Sequence, residues 1–108
     1  MILDFSKYQQ EARKTRAIPE QHRITYSALG LAGEAGELAN KVKKLMRGDT
    51  NRGELVEGIK AEMGDVLWYL AALADDLEVE LADIAAENLD KLRSRQSRGK
   101  ILGGGDNR

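Results

Sequence analysis

The chain has 108 residues, enough for one domain around one core, and its 17 basic and 18 acidic residues leave a formal charge of -1. That balance gives no field for a nucleic-acid polymer or an anionic membrane, and the lack of cysteine excludes a disulfide framework and a thiolate metal site. The single histidine, His22, cannot build a zinc cluster alone.

The N-terminal stretch MILDFSKYQQEARK shows no basic region followed by a long apolar run, so no signal peptide is read there. The longest apolar run, VLWYLAALA at 66–74, falls short of the ~20 residues that a bilayer requires. A soluble, cytoplasmic protein of one domain, residues 1–108, is the expectation.

No period-two alternation of β-branched residues occurs, so the expected fold class is all-α. A first helix should run from Asp4, a suitable N-cap, to about Arg16. AIPEQHR, with the only proline, breaks the pattern. A second helix should cover about Ile24 to Met46, and RGDTNRG has the turn chemistry of a loop. A third should cover about Glu54 to Leu77. A fourth should cover about Leu81 to Arg95, with Leu81, Ile84, Ala85, Leu89 and Leu92 on one stripe. The tail SRGKILGGGDNR is too glycine-rich for a helix and reads as a loop or a flexible arm. Charge is segregated as well: residues 74–90 carry acids and no base, whereas residues 91–108 are basic apart from Asp106.

Two carboxylate pairs lie beside the apolar stripes. The second helix contains GLAGEAGELANKVKK, with Glu34 and Glu37 three apart; the third contains EMGDVLWYL, with Glu62 and Asp65 at the same spacing. At ~100° per residue, Leu31, Leu38, Val42 and Leu45 lie within ~20 to 80° of Glu34, and Glu37 lies ~60° further out. Ile59, Val66, Leu70 and Leu73 stand in the same relation to Glu62, with Asp65 again ~60° beyond. If the stripes pack together, all four carboxylates reach one edge of the helix pair. Such a cluster must be relieved by basic partners, for which Lys41 and Lys44 are placed, or by a bound cation. Oxygen ligands without histidine or cysteine suit Mg²⁺ or Mn²⁺. A di-iron bundle needs Glu-x-x-His on two of its helices, and neither Glu34 nor Glu62 is followed by histidine at that spacing.

Glu34-Ala-Gly-Glu37, a gap and Glu62-Met-Gly-Asp65 resemble the ExxE…ExxD signature of the MazG-like all-α nucleoside triphosphate pyrophosphohydrolases. The flanking GLAGEAGE, GDVLWYL, NLDKLRSR and terminal GDNR agree with the short, single-domain bacterial and phage members, over residues 20–108. The resemblance implies a four-helix bundle that hydrolyses (deoxy)nucleoside triphosphates between the α and β phosphates, giving the monophosphate and pyrophosphate. It makes Glu34, Glu37, Glu62 and Asp65 the Mg²⁺ ligands, with Mn²⁺ a substitute, and places water activation with the Glu34 and Glu37 pair, Glu34 foremost. It puts Asn88 and Lys91 near the substrate. Lys91, Arg95 and Arg98 are the expected phosphate contacts, although a basic last turn also suits the helix dipole. It implies a homodimer or homotetramer, and the host cytoplasm as the location if the chain is phage-encoded. The sequence departs from many relatives after the last helix, where RSRQSRGKILGGGDNR stands in place of a Lys-Tyr-Pro type segment and offers no aromatic contact to a base. The alternative class is a non-catalytic helical interaction module with an incidental acidic surface.

Three further features carry expectations. Gly30, Gly33 and Gly36 each cost a helix ~1 kcal/mol relative to alanine, a cost that close packing or space for a nucleotide would offset. Trp68 and Tyr69 are expected in the core, or packed against another subunit or a base, with core or interface the favoured reading. From Val66 to Ala74 the third helix is apolar on every side, which a small lone bundle covers poorly, so an oligomer is expected. The competing expectation is that the first helix, through Phe5, Tyr8 and Ala12, folds over the Trp68 face.

Overall fold

The computed structural model describes residues 2–17 and 19–106; Asn107 and Arg108, the end of GDNR, lie outside the described residues. It is all-α. Four helices follow in order: α1 Phe5–Arg13, α2 Arg23–Met46, α3 Arg52–Asp76 and α4 Leu81–Ser97, with a 3-10 turn at Glu20–His22 before α2. Among the described residues there is no strand.

Local chemistry sets the helix ends. Asp4 caps α1, its Oδ1 accepting from Lys7 N at 2.8 Å. Asn51 caps α3 in the same way, accepting from Glu54 N at 3.0 Å, so α3 begins two residues before the glutamate at which its apolar pattern starts. α2 closes with paired bonds from Gly48 N to Leu45 O and from Asp49 N to Lys44 O, with Gly48 at φ 79. α3 closes likewise through Glu78 N to Asp75 O and Val79 N to Ala74 O, but here a glutamate adopts the left-handed conformation, at φ 57.

α2 and α3 form an antiparallel pair that is the body of the molecule. α1 lies across the C-terminal half of α3. There Ala71, Ala74 and Leu81 are buried, with Tyr8, Ala12 and Leu67 packed against them. Small residues on α3 let the backbones approach, and polar side chains complete the joint. The buried Gln9 donates to Asp75 Oδ1 at 2.8 Å and to Val79 O at 3.0 Å, and its Oε1 accepts from Leu81 N at 2.7 Å. α1 ends at Arg13, three residues short of the expected end, because Arg16 leaves the helix path to enter the core. Its guanidinium bonds Ala72 O, the Ser27 hydroxyl and the wholly buried Asp76. One buried ion pair thus ties the segment after α1 to both α2 and α3.

The face of α3 expected to need a partner is in fact closed by α1. Trp68 Nε1 donates to Thr15 Oγ1 at 2.8 Å, and Ala71 and Ala72 are buried. The uncovered apolar surface lies elsewhere. An open hollow of about 380 Å³ is lined by Leu38, Met63, Val66, Leu67 and Leu70, and a second of about 330 Å³ by Leu3, Phe5, Tyr8 and Leu67. α4 contacts α1 and α3 but not α2. Its apolar stripe therefore stays wet beyond Leu81, and Ile84, Leu89 and Leu92 are exposed. The radius of gyration is 16.7 Å, against ~13 Å for a compact chain of this size. A single chain is an open arrangement of its four helices.

Candidate metal and nucleotide site

The α2–α3 pair brings three of the four expected carboxylates together. Glu34, Glu62 and Asp65 each offer one oxygen, and these oxygens lie within 4.8 Å of one another. Glu37, one turn further along α2, is exposed and stands outside this group. It forms no ion pair among the described residues, though its charge is felt at Glu34. The two outer carboxylates therefore differ: Asp65 joins the cluster and Glu37 does not. Asp65 has the shorter side chain, so its position is set mainly by the backbone, whereas Glu37 has an additional bond about which to turn away from like charge.

The electrostatics of the three are unequal. Lys41 reaches across from α2 and places Nζ 2.9 Å from Glu62 Oε1. The hydrogen bond from Lys41, then one shared with Glu34, holds the Glu62 carboxyl below the ordinary glutamate range against the opposing effect of burial. Glu34 moves the other way. Its hydrogen bond with Glu62, partial burial, and repulsion from Glu62, Asp65 and Glu37 lift its carboxyl above that range. Glu62 Oε2 is buried and has no hydrogen-bond partner among the described residues; the contact of Glu62 with Glu34 is carboxyl to carboxyl and becomes a hydrogen bond only while one of the two holds a proton. A buried carboxylate oxygen without a donor, next to two more carboxylates, fits a hard divalent cation held by oxygen ligands.

Tyr69, expected chiefly as core or interface, borders this cluster, one turn beyond Asp65. Its ring lies on the backbone of Gly30, and a Cβ there would fall 2.2 Å from Tyr69 Cε1. Trp68 meets the ring edge-on at 5.0 Å between centroids. Burial, Tyr26, and the charges of Glu34 and Asp65 raise the Tyr69 hydroxyl above the ordinary tyrosine range. The i, i+4 spacing from Asp65 was the signal available in the sequence for this placement. Gly33 and Gly36, by contrast, face open space.

Two of the expected phosphate contacts, Lys91 and Arg95, pair with the tail. Asn88 is exposed on α4. Lys91 Nζ and Arg95 Nη2 both bond Asp106 Oδ1 at 3.2 Å, and Arg95 also donates to Asp106 O at 2.8 Å. The two cations hold Asp106 below the ordinary aspartate range, Lys91 contributing most. Arg98 Nε donates to Ser94 Oγ at 3.1 Å. The tail thus folds back on α4, and its aspartate occupies two of the cations expected to contact phosphate. A larger hollow of about 470 Å³ is lined by Arg13, Arg16, Arg23, Asp75, Glu78 and Glu80. Its charges are substantially matched within the protein, Arg13 pairing with Asp75 and Arg16 with Asp76. No described helix is long and apolar enough to cross a membrane.

Comparison with known proteins agrees with this arrangement. Residues 23–99 match the family described as the MazG nucleotide pyrophosphohydrolase domain, a span that includes all four carboxylates and the whole of α4. The chain is also 49% identical over 87 residues to the gene 37 protein of Mycobacterium phage L5, covering 79% of this chain and 76% of the phage protein. No solved structure matches. On the family match over α2 to α4, and on a relative of this identity and coverage, the chain belongs to the MazG nucleotide pyrophosphohydrolase family.

Proposed function

We propose that the protein hydrolyses (deoxy)nucleoside triphosphates between the α and β phosphates, giving the monophosphate and pyrophosphate, with Mg²⁺ or Mn²⁺ as its cofactor. The observation that carries this is the set of three converging carboxylate oxygens with Glu62 Oε2 buried and unpartnered. Glu34, Glu62 and Asp65 would hold the ion, and Glu37 would join them by turning about its side-chain bonds. When bound, the ion neutralises charge developing on the phosphates. Glu34, whose carboxyl is lifted above the ordinary glutamate range by its hydrogen bond with Glu62, is the residue to orient and deprotonate the attacking water, with Glu37 beside it. Asn88, Lys91, Arg95 and Arg98 would receive the phosphate chain, Lys91 and Arg95 after releasing Asp106.

The working species is a homodimer or homotetramer in the cytoplasm of the cell, or of the host if the chain is phage-encoded. Its partner is a nucleotide rather than a nucleic-acid polymer or a membrane. Support for assembly comes from the exposed stripe of α4 and the open hollows on α3.

Pyrophosphate release from a panel of ribo- and deoxynucleoside triphosphates, with and without Mg²⁺, is the test. Release that requires the metal and is lost in Glu62→Gln and Asp65→Asn supports the reading. A folded protein that releases none from any of them overturns it and favours an interaction module.

A further inference from the structure

Lys41 has a nearer choice than Glu62. Glu37 precedes it by four residues on the same helix, the spacing and order at which a glutamate and a lysine pair well. It bridges to α3 instead, and the path is built for it. Gly58, one turn before Glu62, leaves room: a Cβ there would sit 3.2 Å from Lys41 Cδ. The Gly58 carbonyl accepts from Lys41 Nζ at 3.3 Å, and Glu62 Oε1 lies 2.9 Å from the same nitrogen. Glu62 is thereby divided between two tasks. Its Oε1 faces the ammonium, and its Oε2 is buried without a hydrogen-bond partner. Among the described residues no other cation forms an ion pair with Glu34, Glu62 or Asp65.

We propose that Lys41 is the resident counter-cation of the metal site: it holds Glu62 and steadies the carboxylates while no divalent ion is present, and it weakens the ion's hold on that same carboxylate. The inference rests on the reading of these carboxylates as a metal site. Three like charges in one place need a cation to fold together. A lysine suits the task, because its charge sits at the end of a flexible stem, and this side chain is one-third exposed, so it can withdraw toward solvent. A fixed positive charge beside the site lowers affinity for any second cation through simple repulsion.

The experiment is calorimetric titration of the protein with MnCl₂ without nucleotide, alongside thermal unfolding of the metal-free protein. Lys41→Met should lower the metal-free melting temperature and tighten Mn²⁺ binding, by about tenfold from removal of one charge near a divalent ion. Lys41→Arg should restore both toward wild type. Lys41→Gln retains a donor for Gly58 O and Glu62 without the charge, so it tests the charge on a folded chain if Lys41→Met does not fold. Lower metal-free stability together with tighter Mn²⁺ binding supports the proposal. Unchanged or weaker Mn²⁺ binding in Lys41→Gln overturns it and leaves the metal site standing. A wild-type protein that binds no Mn²⁺ overturns the metal reading, and the proposal with it.

Discussion

The ring of Tyr69 lies directly over Gly30, so closely that the smallest side chain at position 30 would overlap three of its carbons, at 2.2 to 2.7 Å. This contact sets the approach of α2 to α3 one turn from Glu34 and Asp65, and so sets the spacing of the carboxylates. Gly30→Ala should destabilise the fold by about 1–3 kcal/mol through overpacking, more than the ~1 kcal/mol of helix propensity it gains. Gly33→Ala and Gly36→Ala meet no atoms within 4 Å and should stabilise the metal-free chain instead. Denaturant unfolding of the three variants checks this, and equal effects at all three positions would refute the packing role of Gly30.

The Arg16–Asp76 pair is closed to solvent, with side-chain exposures of 7% and 0%. Removing one partner strands the other. Arg16→Met should therefore cost about 3–5 kcal/mol, because Asp76 keeps only the Ser27 hydroxyl among its side-chain partners. Arg16→Lys should rescue little, since a lysine cannot span Ala72 O, Ser27 and Asp76 at once. Urea denaturation of the two variants tests this, and a loss below ~1 kcal/mol for Arg16→Met would contradict it.

Asp75 predicts an acid limit. Burial pushes its carboxyl up, but hydrogen bonds from Arg13 and Gln9 outweigh burial and leave it below the ordinary value of 3.8. The folded state therefore binds the proton less readily than the unfolded state. The stabilisation is fully present above pH 3.8 and is lost as pH falls through the lower folded value. Wild type should exceed Asp75→Asn in stability at pH 7, and the gap should narrow below pH 3.8. A gap that stays constant with pH would exclude titration of Asp75 as its source.

The helices and the carboxylate edge were legible in the sequence because both depend on short-range spacing. Asp4, the stripes, and the pairs at 34, 37, 62 and 65 could be placed by rotation about a helix axis. What rotation cannot give is a partner 53 to 72 residues away. Gln9 with Asp75 and Leu81, Arg16 with Asp76, and Trp68 with Thr15 are of that kind. They decide that α1 covers the Trp68 face. Nor does rotation show that Lys91 and Arg95 turn to the tail, or that Glu37 stands apart from the other three carboxylates. Side-chain choice among like charges depends on the full set of neighbours, and the sequence supplies only one helix of them at a time.

That α1 covers Trp68 moves the expected subunit interface to another surface. Met63, 57% exposed, and Leu70, 39% exposed, line the hollow that Leu38, Val66 and Leu67 complete. Leu67 also borders the hollow formed with Leu3 and Phe5, so the two hollows share that residue. On α4, Ile84, Leu89 and Leu92 lie at helical spacing and are 38 to 48% exposed. A monomer rarely leaves this much apolar surface wet, and a twofold contact would let α4 of one chain lie on the α2–α3 pair of another. The same contact would carry Lys91 and Arg95 toward a partner's carboxylates, which they do not reach within one chain. Met63→Lys places a charge at an exposed position, so the single chain should fold as before. Light scattering at micromolar concentration should then show wild type as a dimer or tetramer and Met63→Lys as one chain, with pyrophosphate release falling in parallel. Thr15→Ala, which removes the acceptor of the Trp68 hydrogen bond and lies away from this surface, should leave the assembly intact. A wild-type species that has the mass of one chain and full activity would sink the prediction.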